Sequence, residues 1–133
     1  EGFHNCKEMM SLHHRIIQHL IARRGFRLVG TESGMPESRD VANYVATSLD
    51  REYPEKEKEA LWKRGMNKMY SAWVEVRELV EWMRGYNREE MQKSIRTRRN
   101  HDPQEMVSYC GLDIGGFHSN RTHPMPRIQS YTK

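Results

Sequence analysis

LIARRGFRLVGTESG, residues 20–34, joins the end of an amphipathic helix to a short strand through a single glycine. Gly25 follows two arginines, which is typical of a helix carboxyl terminus. Residues 26–31 then predict a strand that ends at Glu32, before a Ser-Gly turn. Because the order helix, glycine, strand is typical of proteins with parallel sheets, we expect an α/β fold.

The helix before this glycine is the clearest element in the sequence. Apolar residues recur every three or four positions from about Asn5 to Arg24, which predicts one buried face. Asn5 and Glu8 have the spacing of a capping box, so we expect Asn5 to cap this helix.

Further helices are predicted after the first strand, including a short piece at residues 60–62 that Gly65 separates from the longest run. Pro36 and the apolar spacing that follows it favour a helix over residues 37–49. A longer apolar stripe begins near Met69 and predicts a helix that ends at residues 85–87, Gly-Tyr-Asn. We interpret the polar residues 88–102 as a loop.

A second strand is predicted over residues 106–112, with Asp113 at its end. The sequence after this point is rich in Gly and Pro and poor in apolar residues. We therefore expect residues 115–133 to form an irregular basic tail, and residues 1–114 to form the domain.

Composition excludes several classes of protein. The 133 residues are 36% apolar and 30% charged, with a mean hydropathy of −0.94 and no apolar run long enough to cross a bilayer. The net charge of +4 lies after residue 91, in a tail that we interpret as solvated, so neither a membrane nor a nucleic acid is an expected partner. Cys6 and Cys110 form no ligand pattern, and reduced thiols favour a cytoplasmic location.

Three acidic positions and one histidine lie where parallel strands would end. Glu32 and Asp113 follow the two predicted strands, whereas Glu1 and His4 precede the first helix. Strand ends of a parallel sheet meet at one edge, where ligands bind. A histidine beside carboxylates can activate water as a general base, and the same groups can ligate a metal. Taken singly, each acidic residue is more often a helix cap or a surface charge.

Five blocks of the sequence resemble the erythromycin esterase family, in order along the chain. EGFHNCKEM, residues 1–9, is similar to the family motif Gly-Glu-x-x-His-x-x-x-Glu-Phe, without its leading Gly. The other four blocks are residues 24–34, 38–45, 76–87 and 109–114. The resemblance implies an α/β fold in which amphipathic helices surround a short, incomplete parallel sheet. This sequence would then be the amino-terminal part of a larger hydrolase domain, and it would lack the carboxyl-terminal part of that domain.

The resemblance also implies a reaction and a set of site residues. A hydrolase of this family opens a macrolide lactone, a small-molecule ester, with an activated water. His4 would be the general base, with Glu1 and Glu32 as the active-site carboxylates that orient it or the water. Arg39 and Asp113 would contribute to substrate binding. We expect no cofactor and no metal.

Two alternatives remain open at this stage. In a metal-dependent hydrolase on the same scaffold, Glu1, His4 and Glu32 would be ligands. In a non-catalytic helical interaction module, the basic tail would bind a partner. We do not expect a zinc site on the first helix, because His13, His14 and His19 contain no pair spaced by four residues. His13 stands where the family usually has Arg.

Overall fold

The computed structural model describes residues 6–46, 51–97 and 105–113, which contain five helices and two strands. The elements in chain order are α1 (Lys7–Arg24), β1 (Leu28–Gly34), α2 (Arg39–Ala46), α3 (Glu55–Gly65), α4 (Lys68–Ala72), α5 (Val74–Thr97) and β2 (Ser108–Asp113). The predicted tail and the opening residues Glu1 and His4 lie outside the described residues. None of the described helices has a stretch long and apolar enough to cross a bilayer.

The end of α1 follows the sequence prediction, but its beginning does not. Gly25 adopts the left-handed conformation (φ 75°), and its N–H donates to the carbonyl oxygen of Leu20. Only glycine takes this conformation without steric cost, so α1 ends here and the chain turns toward β1. At the other end the N-cap is Cys6, whose side chain forms no capping hydrogen bond, so the predicted cap at Asn5 is wrong.

The two strands form a parallel sheet, which confirms the predicted fold class of helices around a short parallel sheet. Leu28 pairs with Ser108 and Gly34 with Asp113, with an irregularity before the last pair. β1 therefore starts and ends later than predicted, and Glu32 lies inside the strand. The pairing of β1 with β2 extends to Gly34, so the Ser-Gly dipeptide, which was predicted to be a turn, belongs to the strand.

Helix α5 runs ten residues further than the sequence indicated, so the loop predicted over residues 88–102 is wrong as far as Thr97. Among the described glycines only Gly25 has a positive φ, so Gly85 does not have the conformation of a capping glycine. The Asn87 side chain bonds neighbouring elements, including the Val107 carbonyl oxygen at 2.9 Å, instead of ending the helix. The helix continues through an exposed Lys93–Glu90 pair at 2.6 Å.

The core lies on one face of the sheet. Helix α2 packs against β2 and α5, and α1 packs against α5. The inward residues Val29 and Tyr109 are 8% and 3% exposed, whereas Leu28 and Leu112 on the opposite face are 63% and 64% exposed. The most deeply buried apolar side chains come from α1, α2, α5 and the residue before β2: Ile21, Val41, Tyr44, Val45, Val80, Met83 and Val107.

Candidate active site

A pocket of about 440 Å³ lies between α1, β1, α4 and α5. Its volume falls in the range of small-molecule sites, roughly 300–1,000 Å³. Its apolar wall consists of Met10, Ile16, Ile17, Val29, Val76 and Leu79. Its polar groups belong to His13, His14, Thr31, Glu32, Tyr70 and Glu75. The pocket thus combines a mostly apolar wall with a few groups that can form hydrogen bonds.

The pocket follows the edge of β1 that no other described strand occupies. Four consecutive residues of this strand, 29–32, line it, whereas one face of a sheet presents only alternate residues. The other edge of β1 is occupied by β2. Consequently, a ligand in this pocket would lie beside the strand, with the carboxyl half of β1 at one end.

The backbone at Glu32 is held in place by Asn67. Asn67 Nδ2 donates to the Glu32 carbonyl oxygen at 2.6 Å, and the Asn67 N–H donates to Ser33 Oγ at 3.2 Å. Asn67 Oδ1 in turn accepts from the N–H of Tyr70 at 2.8 Å and caps α4. Glu32 is an exposed residue of the pocket lining and has a fixed backbone, and its carboxylate can orient a water molecule or an imidazolium ring.

Two histidines of α1, to which no function was assigned from the sequence, line the same pocket. His14 Nε2 is buried and has no hydrogen-bond partner among the described residues. Burial lowers the pKa of the His14 imidazole, and the charge of Glu78 opposes this effect. A zinc site on α1 was not expected because these histidines lack a spacing of four residues, which concerns metal binding alone. His13, His14 and Ile17 are separated by three, four and seven residues from Met10, which places the four on one face of α1, and all four line the pocket.

Arg39 and Asp113 lie elsewhere than the pocket that Glu32 lines. Arg39 is the exposed first residue of α2, and Asp113 is the last residue of β2. The Asp113 carbonyl oxygen accepts a hydrogen bond from the Met35 N–H at 2.8 Å. Asp113 is thus near the carboxyl end of β1, since it pairs with Gly34, two residues beyond Glu32.

His4 and Glu1, the predicted base and its carboxylate partner, lie outside the described residues. Their roles stay predictions. Within residues 6–46, 51–97 and 105–113, no group of three or more His, Cys, Asp or Glu side chains is arranged to hold a metal ion.

Comparison with known proteins gives one match. The family model described as erythromycin esterase matches residues 21–127, well over half of the chain. This range includes α1 from Ile21 onward, the whole of β1 with Glu32, and β2. Searches of curated proteins and of solved structures found no match. The extent of the family match establishes that the chain belongs to the erythromycin esterase family.

Proposed function

We propose that this chain supplies part of the active site of an ester hydrolase, in which water attacks the carbonyl carbon of a macrolide lactone or a related cyclic ester. The observation that carries the proposal is the position of Glu32. This residue is exposed and is among those that line a mostly apolar pocket along β1, within the segment that matches the family. Active sites of open α/β sheets lie beyond the carboxyl ends of the strands, and Glu32 is two residues from the end of β1.

In the proposed mechanism His4 removes a proton from water while the oxygen attacks the ester carbonyl carbon. Glu1 and Glu32 orient the imidazole or the water and stabilise the imidazolium that forms. The imidazolium then returns its proton to the alkoxide as the ester C–O bond breaks, which leaves an acid and an alcohol. Arg39 and Asp113 contribute to substrate binding outside the pocket that Glu32 lines.

The apolar wall of the pocket supports a substrate that is largely hydrocarbon. Residues of α1 and α5, such as Ile17 and Leu79, face the strand across it. Burying hydrocarbon against such a wall contributes roughly 25 cal/mol per Å² of apolar area removed from water. We place the reaction in the cytoplasm, where free thiols such as Cys6 and Cys110 remain reduced, and infer a role in macrolide resistance.

The test is hydrolysis of erythromycin by the protein expressed from its natural coding sequence, detected by mass spectrometry as the addition of one water. We expect His4→Ala to reduce kcat/KM by about 10²- to 10⁴-fold, the usual contribution of a general base. Glu32→Gln should reduce kcat/KM in the same direction with the fold retained.

Matched controls use residues that do not line the pocket. His19→Ala on α1 and Glu89→Gln on α5 change exposed side chains of the same types and should leave turnover unchanged. Unchanged turnover in His4→Ala would remove the general-base assignment. Equal losses in Glu32→Gln and Glu89→Gln would show that the position of Glu32 in the pocket has no special importance.

A further inference from the structure

The proposed mechanism does not use His14, although this side chain lines the same pocket as Glu32. Its Nε2 is buried and forms no hydrogen bond with any described residue. Most buried polar atoms in proteins do have a partner, and an exception needs a physical explanation. This nitrogen is closed to a water-sized group as the ring stands, so a ligand supplies the missing partner when the imidazole turns toward the pocket.

The surroundings of His14 determine which ligand suits it. Met10 and Ile17 precede and follow it on the same face of α1 at spacings of four and three residues, and both line the pocket. The acidic groups near it are Glu78 on α5, which opposes the lowering of its pKa, and the pocket residues Glu32 and Glu75. These carboxylates disfavour an anionic ligand. His13 lies beside it on α1, and Tyr70 of α4 also lines the pocket.

A neutral imidazole has one N–H donor and one acceptor nitrogen. Because burial favours the uncharged form of His14, the ring keeps this pair of functions at neutral pH. Such a ring is complementary to a hydroxyl or a carbonyl group, and it offers no full charge to a charged ligand.

We propose that His14 is the recognition residue of this pocket and that its Nε2 hydrogen-bonds an uncharged hydroxyl or carbonyl group of a compact, mostly apolar ligand. The inference rests on the proposed function in taking that ligand to be part of the ester substrate. The hydrogen bond itself requires no hydrolysis. It also explains why α1 keeps a polar atom unpaired beside Met10 and Ile17.

The test compares benzyl alcohol with toluene, two probes of similar shape that differ by one hydroxyl group. Binding is followed on the full chain by NMR, with the Nε2 resonance of His14 as the site-specific signal. We expect benzyl alcohol to bind roughly two- to tenfold more tightly than toluene, the range of one net hydrogen bond, and to shift the Nε2 resonance.

His14→Phe keeps a ring in the wall but removes the nitrogen. This variant should bind both probes equally, and its midpoint of thermal unfolding should rise, because a buried polar atom without a partner is gone. His14→Gln retains a donor and an acceptor and should keep part of the preference. The control His19→Phe changes an exposed residue of α1 that does not line the pocket and should keep the full preference.

Equal affinity of the wild-type chain for the two probes, or an Nε2 resonance that benzyl alcohol leaves unmoved, would overturn the proposal. A lower unfolding midpoint in His14→Phe would overturn it as well, since it would assign His14 a structural role. The preference for the alcohol without ester hydrolysis would contradict only the proposed function. Hydrolysis without the preference would contradict only the role of His14.

Discussion

The side-chain amide of Asn87 hydrogen-bonds both backbone groups of Val107: Nδ2 donates to the carbonyl oxygen at 2.9 Å, and Oδ1 accepts from the N–H at 2.8 Å. Asn87 Nδ2 also donates to the Val45 carbonyl oxygen at 3.0 Å. Asn87 is 1% exposed, so water cannot replace these bonds. One side chain in the middle of α5 thus fixes the residue before β2 and the end of α2.

Asn87→Ala should therefore destabilise the fold strongly. The substitution leaves the Val107 N–H, the Val107 carbonyl and the Val45 carbonyl buried with a bond lost, and we expect a loss of roughly 2–4 kcal/mol in the free energy of unfolding. Urea denaturation measures it. Gln92→Ala, at an exposed position of the same helix, is the control and should change stability by less than about 0.5 kcal/mol. Equal stability of the two variants would contradict the assignment.

Two glycine substitutions should change stability in opposite directions. A Cβ at Gly111 would lie 2.7 Å from both the Gly34 carbonyl oxygen and Ser38 Oγ, which already accepts a hydrogen bond from the Gly111 N–H. Gly111→Ala must push β2 away from β1 and should cost at least about 1–3 kcal/mol. A Cβ at Gly85 meets nothing within 4 Å, so Gly85→Ala should stabilise α5 by about 0.5–1 kcal/mol. Thermal unfolding compares them, and the same sign for both would disprove the argument.

The sequence predicted those parts of the fold that local patterns determine. The apolar stripe and Gly25 correctly located the end of α1, and both strands were found within a few residues. The Gly-Tyr-Asn sequence at residues 85–87 has the local chemistry of a helix end, yet the helix continues. Its Asn87 bonds are to Val45 and Val107, which are distant in sequence, and no local pattern reveals such partners.

The candidate site was predictable to a similar degree. Glu32 was identified from its place near the end of a strand, and it does line the pocket. His13 and His14 were not identified, because adjacent residues on a helix point about 100° apart and were judged as metal ligands only. Their shared face with Met10 and Ile17 was visible in the sequence. This face borders the pocket along β1 because of the way α5 packs, and the sequence alone did not indicate that packing.

The phenol of Tyr44 should make stability depend on alkaline pH. Burial, and then the hydrogen bonds that its hydroxyl donates to both Glu81 carboxylate oxygens at 2.8 Å, raise the pKa of Tyr44 well above its ordinary value. A raised pKa in the folded state stabilises the fold below the unfolded pKa, about 10, and this contribution is lost as the pH rises further. Wild-type stability should therefore fall above about pH 10, at most by about 1.4 kcal/mol per pH unit for this group.

Tyr44→Phe isolates this effect. The stability difference between wild type and the variant, measured by urea denaturation at several pH values, should shrink as the pH rises through this range. Tyr86→Phe is the control, since it retains Tyr44 and should keep the alkaline loss. A difference between wild type and Tyr44→Phe that stays constant from pH 8 to 12 would show that Tyr44 ionises equally in both states.

His14 should produce the opposite dependence, at mildly acidic pH. Burial lowers the pKa of its imidazole, and Glu78 partly restores it. The folded state thus favours the neutral ring, so its contribution is complete above the unfolded pKa, about 6.5, and is lost as the pH falls toward the folded pKa. His14→Phe should flatten this acidic loss. Glu78→Gln should lower the pKa of His14 further, as read from an NMR titration of its ring, because an attractive charge is removed.

Glu89→Gln removes an exposed carboxylate from the same helix and should leave the His14 titration in place. An unchanged pKa in Glu78→Gln would mean that the carboxylate does not act on the ring. Comparing wild type with Glu78→Gln separates the two causes of the shift in the pKa of His14, because the variant keeps the burial and loses the charge. If burial dominates, as the packing of α1 against α5 indicates, the pKa of His14 is below its ordinary value in wild type and lower still in Glu78→Gln.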